Sequence, residues 1–257
     1  MMRVATISFN SVWEDKEANF REFERLVSLL RNKVEFVILP EMTFTGFSVY
    51  NPNIAEEIKD SSTIEKVKQV AISNGVHIII GLMTVKKGRF FNSCVAVDSR
   101  GQISDTYEKI NLFSHAGENK LISSGNKVKS LGWPGGWGLS ICYDLRFPQL
   151  FQRLSENSLV LVNIANWPKL RLAHWKTLLA ARAIENQSFV IGVNRIGRDA
   201  NDIEYEESSF LFSPLGELVD PYEIFSNIKV YHLNLNEALE CRQKFPLRTK
   251  GIENISY

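Results

Sequence analysis

Short, almost uniformly apolar runs recur along the chain and are separated by amphipathic stretches. Continuous runs rich in β-branched residues are typical of strands covered on both faces. The runs with this pattern are VEFVILP at 34–40, VHIIIGLM at 76–83, SLVLVNIA at 158–165 and SFVIGVN at 188–194. The sequence therefore predicts a core of buried strands.

Three segments between or beside these runs have the period of an amphipathic helix. In the segment 16–32, apolar residues recur at three- and four-residue steps, at Phe20, Phe23, Val27 and Leu30. The segment 61–75 begins with two serines and ends at Gly75, which are start and stop signals of a helix. A third helix is predicted over 172–187. Because strands and helices alternate, we expect an α/β fold in which helices cover a sheet layer.

Two stretches have a different pattern, and each is predicted to form a strand, a glycine-containing turn and a second strand. They are FFNSCVAVDSRGQISDTYEK at 90–109 and SSFLFSPLGELVDPY at 208–222. One lies in each half of the chain and follows strand–helix material. This arrangement predicts a sandwich of two pseudo-repeated halves. No low-complexity linker divides the chain, so a single domain over residues 1–257 is expected.

Composition and charge narrow the class of protein. The chain has 257 residues, 44% hydrophobic and 23% charged, which is enough to bury a large core. Its net charge is +1, and no run of Lys and Arg with interleaved aromatics occurs, so no nucleic-acid partner is expected. No apolar stretch approaches the roughly 18 residues that span a bilayer, and the start lacks the pattern of a signal peptide. We therefore expect no membrane partner.

The cysteine, histidine and glycine patterns predict no cofactor. Cys94, Cys142 and Cys241 form no CxxC pair, which is typical of reduced thiols in a cytoplasmic protein. The four histidines have no metal-ligand spacing, so no metal site is predicted. The glycines of PGGWG at 134–138 precede a strand and match no phosphate-binding motif.

Three polar residues each follow a predicted strand. Cys142 ends the strand in LSICYDLRFPQ (139–149), Glu41 follows the run 34–40, and Lys109 ends the first hairpin. Each has a plain structural alternative: a buried apolar thiol, a turn-capping carboxylate and a solvated ammonium. Ligands of helix-covered sheets bind beyond the carboxyl ends of strands. If they meet there, the three supply a nucleophile, a general base and a cation for a developing oxyanion.

The motifs around these residues, PEMTFTGF (40–47), YEKINLF (107–113) and ICYDLRFP (141–148), resemble the nitrilase superfamily of carbon–nitrogen hydrolases. NIANWP at 163–168 and ARAIENQ at 181–187 also follow the family pattern, so the resemblance spans nearly the whole chain. It implies an α-β-β-α sandwich with Glu41 as general base, Lys109 as oxyanion cation and Cys142 as nucleophile. It also implies that Glu118 positions the lysine or the substrate.

Further roles are expected around this triad. The backbone N–H of Tyr143, directly after the nucleophile, is expected to be the second oxyanion donor. Asp144 and Arg146 are interpreted as residues that hold the turn and the following helix. Trp167 is either a pocket wall or a packing residue, and Arg171 is a candidate partner for a substrate carboxylate.

The chain departs from the family pattern at Asn111, where many relatives carry histidine two residues after the lysine. An amide can hydrogen-bond but cannot titrate, so the positioning of Lys109 is in question. A Cys–His mechanism with His174 or His115 is the rival interpretation. The papain-type pattern around the cysteine is missing, and His174 is expected to cap or pack.

The motif combination is most similar to omega-amidases within the superfamily. The resemblance implies hydrolysis of a small carboxylate-bearing amide, such as 2-oxoglutaramate, to acid and ammonia through a cysteine thioester, and at least a homodimer. Hydrolysis of an N-carbamoyl compound, another amide or a nitrile stays open, because pocket contacts choose the substrate. A catalytically silent binding protein on the same fold is the alternative from another class. Acyl transfer to lipid would need membrane segments.

Overall fold

Two β-sheets form the centre of the computed structural model, which describes residues 1–247. The strands of the first sheet are β1 (Met2–Ile7), β2 (Phe36–Ile38), β3 (His77–Lys86), β4 (Arg89–Val97), β5 (Ile103–Glu108), β13 (Glu223–Phe225) and β14 (Ile228–Leu233). Those of the second are β6 (Ser130–Leu131), β7 (Trp137–Ile141), β8 (Val160–Ala165), β9 (Phe189–Asn194) and β12 (Phe210–Phe212). A separate hairpin contains β10 (Gly197–Arg198) and β11 (Glu204–Tyr205). Residues 248–257 of the predicted domain lie outside the described residues.

Five α-helices flank the two sheets in the described part of the chain. They are α1 (Lys16–Ser28), α2 (Ser62–Asn74), α3 (Pro148–Ser155), α4 (Leu172–Asn186) and α5 (Leu235–Lys244). One apolar cluster joins α1 and α2 to the first sheet, and another joins the two sheets to each other and to α3 and α4. Between the sheets the ring of Phe36 stacks on that of Trp137, with centroids 4.6 Å apart. The layers are therefore α-β-β-α, and the predicted fold class is confirmed.

The two halves of the chain repeat one strand pattern. In the first sheet β1, β2 and β3 are parallel neighbours and β4 runs antiparallel to β3. In the second sheet β7, β8 and β9 are parallel neighbours and β12 runs antiparallel to β9. Every residue of β8 and β9 is buried, as continuous apolar runs predict for strands covered on both faces.

The first predicted hairpin is present as β4 and β5. For the second hairpin, the prediction of a second strand after the turn is wrong. After β12 the chain turns at Gly216, and only a single bridge joins Phe212 to Leu218. Pro221 has no N–H to donate to a continued ladder. The chain then passes to the first sheet, where β13 pairs with β14.

Within residues 1–247, no helix is long and apolar enough to cross a bilayer.

Candidate active site

Glu41 reaches the site because the chain crosses over a glycine of the neighbouring strand. After β2 the backbone of Glu41 and Met42 passes so close to Gly81 of β3 that a Cβ built there would lie 2.5 Å from Met42 N and 2.6 Å from Glu41 Cα. The Thr43 N–H donates to the Gly81 carbonyl at 2.8 Å, which holds the crossing in place. Gly81 therefore permits an approach that a side chain would block.

Lys109 and Cys142 come to the same edge from the ends of two other strands. Lys109 directly follows β5, which runs in the direction of β3, since β4 is antiparallel to both. Cys142 directly follows β7 of the second sheet and begins a 3₁₀ turn, Cys142–Arg146. Its φ of 47° lies in the left-handed region, a strained conformation for a residue with a side chain. Tyr143 is the second residue of this turn, where N–H groups lack an acceptor within the turn.

A buried carboxylate ties the lysine loop to the cysteine turn. Asp144 Oδ2 accepts from the Tyr107 hydroxyl at 2.7 Å and from the Ile141 N–H at 3.0 Å. Asp144 Oδ1 accepts from the N–H of Asn111 at 2.8 Å and from its Nδ2 at 2.9 Å. Asn111 thus holds the Cys142 turn through Asp144, whereas Lys109 is held by two glutamates. Asp144 holds the turn as expected.

The charged groups at this edge form one buried cluster. Lys109 Nζ lies 2.9 Å from Glu41 Oε1 and 3.0 Å from Glu118 Oε2. Glu118 Oε2 also accepts from the Phe113 N–H at 2.6 Å. At most 1% of the surface of Glu41, Lys109 and Glu118 is exposed. The structure therefore brings these predicted residues together, with two carboxylates on one ammonium.

Burial and neighbouring charges set the protonation of the lysine and the thiol. Burial alone would lower the pKa of Lys109, but Glu118 and Glu41 outweigh it and raise this pKa, so the ammonium stays charged. Burial, assisted by the negative charge of Glu41, raises the pKa of the Cys142 thiol well above its usual value, and Lys109 only partly opposes this. The raised pKa favours the neutral thiol in the resting site.

A cavity of about 250 Å³ opens onto Cys142. Its wall includes Tyr143, Trp167 and Arg171. Trp167 is both a pocket wall and a packing residue. It lines the cavity, and its ring centroid lies 5.2 Å from that of Trp175. Its indole N–H donates to the Arg171 carbonyl at 2.8 Å, which ties the cavity wall to the start of α4.

Two guanidinium groups line the same cavity. Arg171 lies 5.5 Å from the centroid of the Phe113 ring, and Arg146 lies 4.9 Å from that of Trp167. Neither has a carboxylate within salt-bridge distance in the described part of the chain. Arg146 therefore faces the cavity, and the expectation that it holds the turn is not met. The carboxylate of the cavity wall, Asp199, already accepts from Tyr205 and from two backbone N–H groups of its own hairpin.

The geometry does not favour the Cys–His alternative. The groups that act on Cys142 are Glu41, Lys109, Glu118 and the carbonyl oxygen of Asn166, with no histidine among them over residues 1–247. His174 is exposed on α4 and lies 3.4 Å from an Arg146 nitrogen, so it neither caps the helix nor packs in the core.

Sequence reasoning missed two asparagines that hold Glu41. The Asn166 N–H donates to Glu41 Oε2 at 2.8 Å, and the Asn92 amide donates to Glu41 Oε1 at 2.7 Å. Asn166 lies in the motif NIANWP, whose resemblance to the family pattern does not by itself reveal a contact with Glu41. Asn92 shares an inward strand face with Cys94 and Ala96, and a polar residue on an apolar face is the signal that could have identified it.

Known proteins are similar to this chain over most of its length. The sequence model of a family described as carbon-nitrogen hydrolase matches residues 3–243. An omega-amidase YafV of Yersinia enterocolitica is 34% identical over 239 residues, and the alignment covers 91% of each chain. A 2-oxoglutaramate amidase of Bacillus subtilis is 30% identical over 254 residues, with 95% of each chain covered.

A solved structure supports the same assignment. The crystal structure of a CN-hydrolase superfamily protein of Xanthomonas campestris, which carries an arsenic adduct in its active site, superposes with a TM-score of 0.89. The two chains are 28% identical, and the superposition covers 100% of this chain and 98% of the other. The relatives in sequence and in structure therefore point to the same group of proteins.

Proposed function

Because the chain belongs to the carbon–nitrogen hydrolase family, we propose that it hydrolyses the ω-amide of a small 2-oxo acid, such as 2-oxoglutaramate, to the acid and ammonia. The observation that carries the proposal is the placement of Cys142 between a buried Glu–Lys cluster and a cavity lined by two arginines, neither of which has a carboxylate partner among residues 1–247. The cluster supplies the chemistry of amide cleavage, and the arginines supply a site for the substrate carboxylate.

The first half of the proposed reaction forms a thioester. Glu41 accepts the proton of the neutral Cys142 thiol as the sulfur attacks the amide carbon, which is general-base catalysis of a covalent step. The oxyanion that develops is stabilised by the Lys109 ammonium and the N–H of Tyr143, and such a donor typically contributes about 3–4 kcal/mol. Protonated Glu41 then gives its proton to the leaving nitrogen, and ammonia departs.

The second half consumes one water molecule. Glu41, again a carboxylate, accepts a proton from water as the water oxygen attacks the thioester carbon. The C–S bond breaks, the acid product leaves, and the sulfur recovers its proton from Glu41. Glu118 stays a carboxylate on Lys109 throughout, so it keeps the ammonium oriented towards the oxyanion while Glu41 carries the proton.

The cavity favours a small anionic substrate. We propose that Arg171 binds the substrate carboxylate and that Arg146, on the Trp167 side, contributes to the same site. Charge-assisted hydrogen bonds from a guanidinium to a carboxylate are strong and directional. The volume of about 250 Å³ suits a five-carbon amide. Two relatives are named omega-amidase and 2-oxoglutaramate amidase, which supports this substrate class.

A screen of ammonia release tests the proposal. The purified protein is assayed with ω-amides of 2-oxo acids, neutral amides, N-carbamoyl compounds and nitriles, and kcat/KM is ranked. We expect the 2-oxo-acid amides to rank first. A higher rank for carbamoyl compounds or nitriles would replace the proposed substrate, and no turnover of any of them would favour a silent binding protein.

Two cysteine variants test the covalent step. Cys142→Ala is expected to abolish ammonia release, because Cys142 is the cysteine that lines the cavity among the described residues. Cys241→Ala is the matched control, since this thiol lies on α5, away from the cavity, and is expected to leave kcat unchanged. Hydroxylamine added to the wild type should capture the acyl group as a hydroxamate. Substantial turnover by Cys142→Ala would exclude the thioester.

The homodimer, the cytoplasmic location and the single domain stay predictions.

A further inference from the structure

We propose that Asn92 is a positioning residue whose amide joins the two carboxylates of the site and keeps Glu41 in its charged, proton-accepting form. The proposal rests on the function proposed above, in which Glu41 is the base. Asn92 lies on β4, is fully buried, and does not line the cavity, so it acts on the reaction only through its neighbours.

The contacts of Asn92 close a ring of hydrogen bonds. Its Nδ2 donates to Glu41 Oε1 at 2.7 Å and to Glu118 Oε1 at 2.8 Å. The same two oxygens accept from Lys109 Nζ, at 2.9 Å and 3.1 Å respectively. One amide and one ammonium thus bridge the same pair of carboxylates from two sides.

The ring carries an excess negative charge that a neutral donor can stabilise. The titratable groups of the ring and beside it are Glu41 after β2, Lys109 after β5, Cys142 after β7 and Glu118, which begins a 3₁₀ turn at Glu118–Lys120. Asp144 of the Cys142 turn also acts on Lys109 through its charge. A buried pair of carboxylates tends to retain a proton unless hydrogen bonds stabilise both charges. Asn92 supplies one donor to each carboxylate and adds no charge of its own.

The same contacts decide which oxygen of Glu41 carries the mobile proton. Oε1 already accepts two hydrogen bonds, from Asn92 and Lys109, which occupy both of its lone pairs. Oε2 accepts from Asn166 N at 2.8 Å and more weakly from Asn166 Nδ2 at 3.2 Å. The Nδ2 group also donates to the Glu41 carbonyl at 2.8 Å, so it can release Oε2 without losing its other partner. Oε2 is therefore the oxygen that receives the thiol proton.

The variant Asn92→Leu tests this role. Without the amide, one carboxylate of the ring is expected to take up a proton at a higher pH than in the wild type. We expect kcat at pH 7 to fall about 10- to 100-fold, because hydrogen bonds to charged groups are removed, and to recover as the pH rises. KM should stay within about threefold, because Asn92 does not touch the cavity.

Asn163→Leu is the matched control for a buried amide. Asn163 lies on β8, is fully buried, and donates from Nδ2 to the Ser140 hydroxyl at 2.9 Å. Over residues 1–247, the Oδ1 atoms of Asn163 and Asn92 both lack a hydrogen-bond partner. We expect it to lower the Tm without moving the pH profile of kcat. Asn92→Ser, which is smaller and carries one donor, should move the profile in the same direction in case the leucine variant does not fold.

A second measurement needs no amide substrate and separates this proposal from the proposed function. The rate of Cys142 alkylation by iodoacetamide is followed by mass spectrometry from pH 5 to 9, and the profile of Asn92→Leu should move to higher pH. If the wild type hydrolyses no amide while this shift occurs, the proposed function fails and the role of Asn92 stands. Profiles of Asn92→Leu that coincide with the wild type, or an equal shift in Asn163→Leu, would overturn it.

Discussion

Gly81→Ala is the variant that most directly probes how the fold positions Glu41, the proposed base. The added Cβ would lie 2.5 Å from Met42 N and 2.6 Å from Glu41 Cα. Ordinary contacts of carbon are about 3.5–4.0 Å, so the crossing segment must move by roughly 1 Å. A misplacement of about 1 Å costs about 100-fold in rate. We therefore expect kcat to fall about 100-fold.

The measurement must separate this displacement from a general loss of stability. An extra methyl group in a well-packed core typically costs about 1–3 kcal/mol of unfolding free energy, so a loss of stability alone would not report on Glu41. Gly192→Ala on β9 is the matched control, because its Cβ would lie 2.4 Å from Leu179 Cδ1 and 2.7 Å from Trp175 Cζ2, in the core beneath α4. Both variants should lose stability in urea unfolding, and only Gly81→Ala should lose kcat. A kcat within threefold of the wild type in folded Gly81→Ala would refute the reasoning.

Two further predictions concern the substrate carboxylate and the stability of the first sheet's helix layer. Arg171→Met should lower kcat/KM for a 2-oxo-acid ω-amide about 10- to 100-fold and leave a neutral amide within threefold, because a charge-assisted hydrogen bond is lost. Lys169 is an exposed neighbour outside the cavity, so the control variant Lys169→Met should change kcat/KM for neither substrate. An equal loss for both substrates in Arg171→Met would contradict the proposed binding of the substrate carboxylate by Arg171. Burial would raise the pKa of Glu56, but hydrogen bonds from Lys16 and from the start of α2 outweigh it and lower this pKa to about 2. Glu56→Gln should therefore cost about 1–3 kcal/mol of unfolding free energy at pH 7, and the difference should shrink as the pH falls from 4.5 towards 2; a pH-independent difference would contradict this.

Features with a local physical cause were predicted from the sequence. A strand covered on both faces consists mostly of apolar residues, so the runs that form β2, β3, β8 and β9 are recognised without knowing their neighbours. The serine start and the glycine stop of α2 are also local, because the Ser61 hydroxyl accepts from the Ile64 N–H and Gly75 adopts a positive φ.

Contacts between distant segments decided the rest, because short patterns carry no information about which strands pair. The sequence did not predict that β13 and β14 extend the first sheet beyond β1, with β13 at the edge, or that the chain passes between the sheets after Leu218. The neutral state of the Cys142 thiol depends on burial among charges from three other segments, and its own flanking residues do not reveal it.

The sequence by itself determined which polar residues end the buried strands, and so it identified Glu41, Lys109 and Cys142 as candidates. Only the tertiary structure decided how they meet, since the approach of Glu41 depends on the missing side chain of Gly81 in another strand. The same holds for Asn92, whose amide has meaning only when two carboxylates from remote segments face it. Pairing distant strands creates these contacts, and the order of residues along one segment does not encode them.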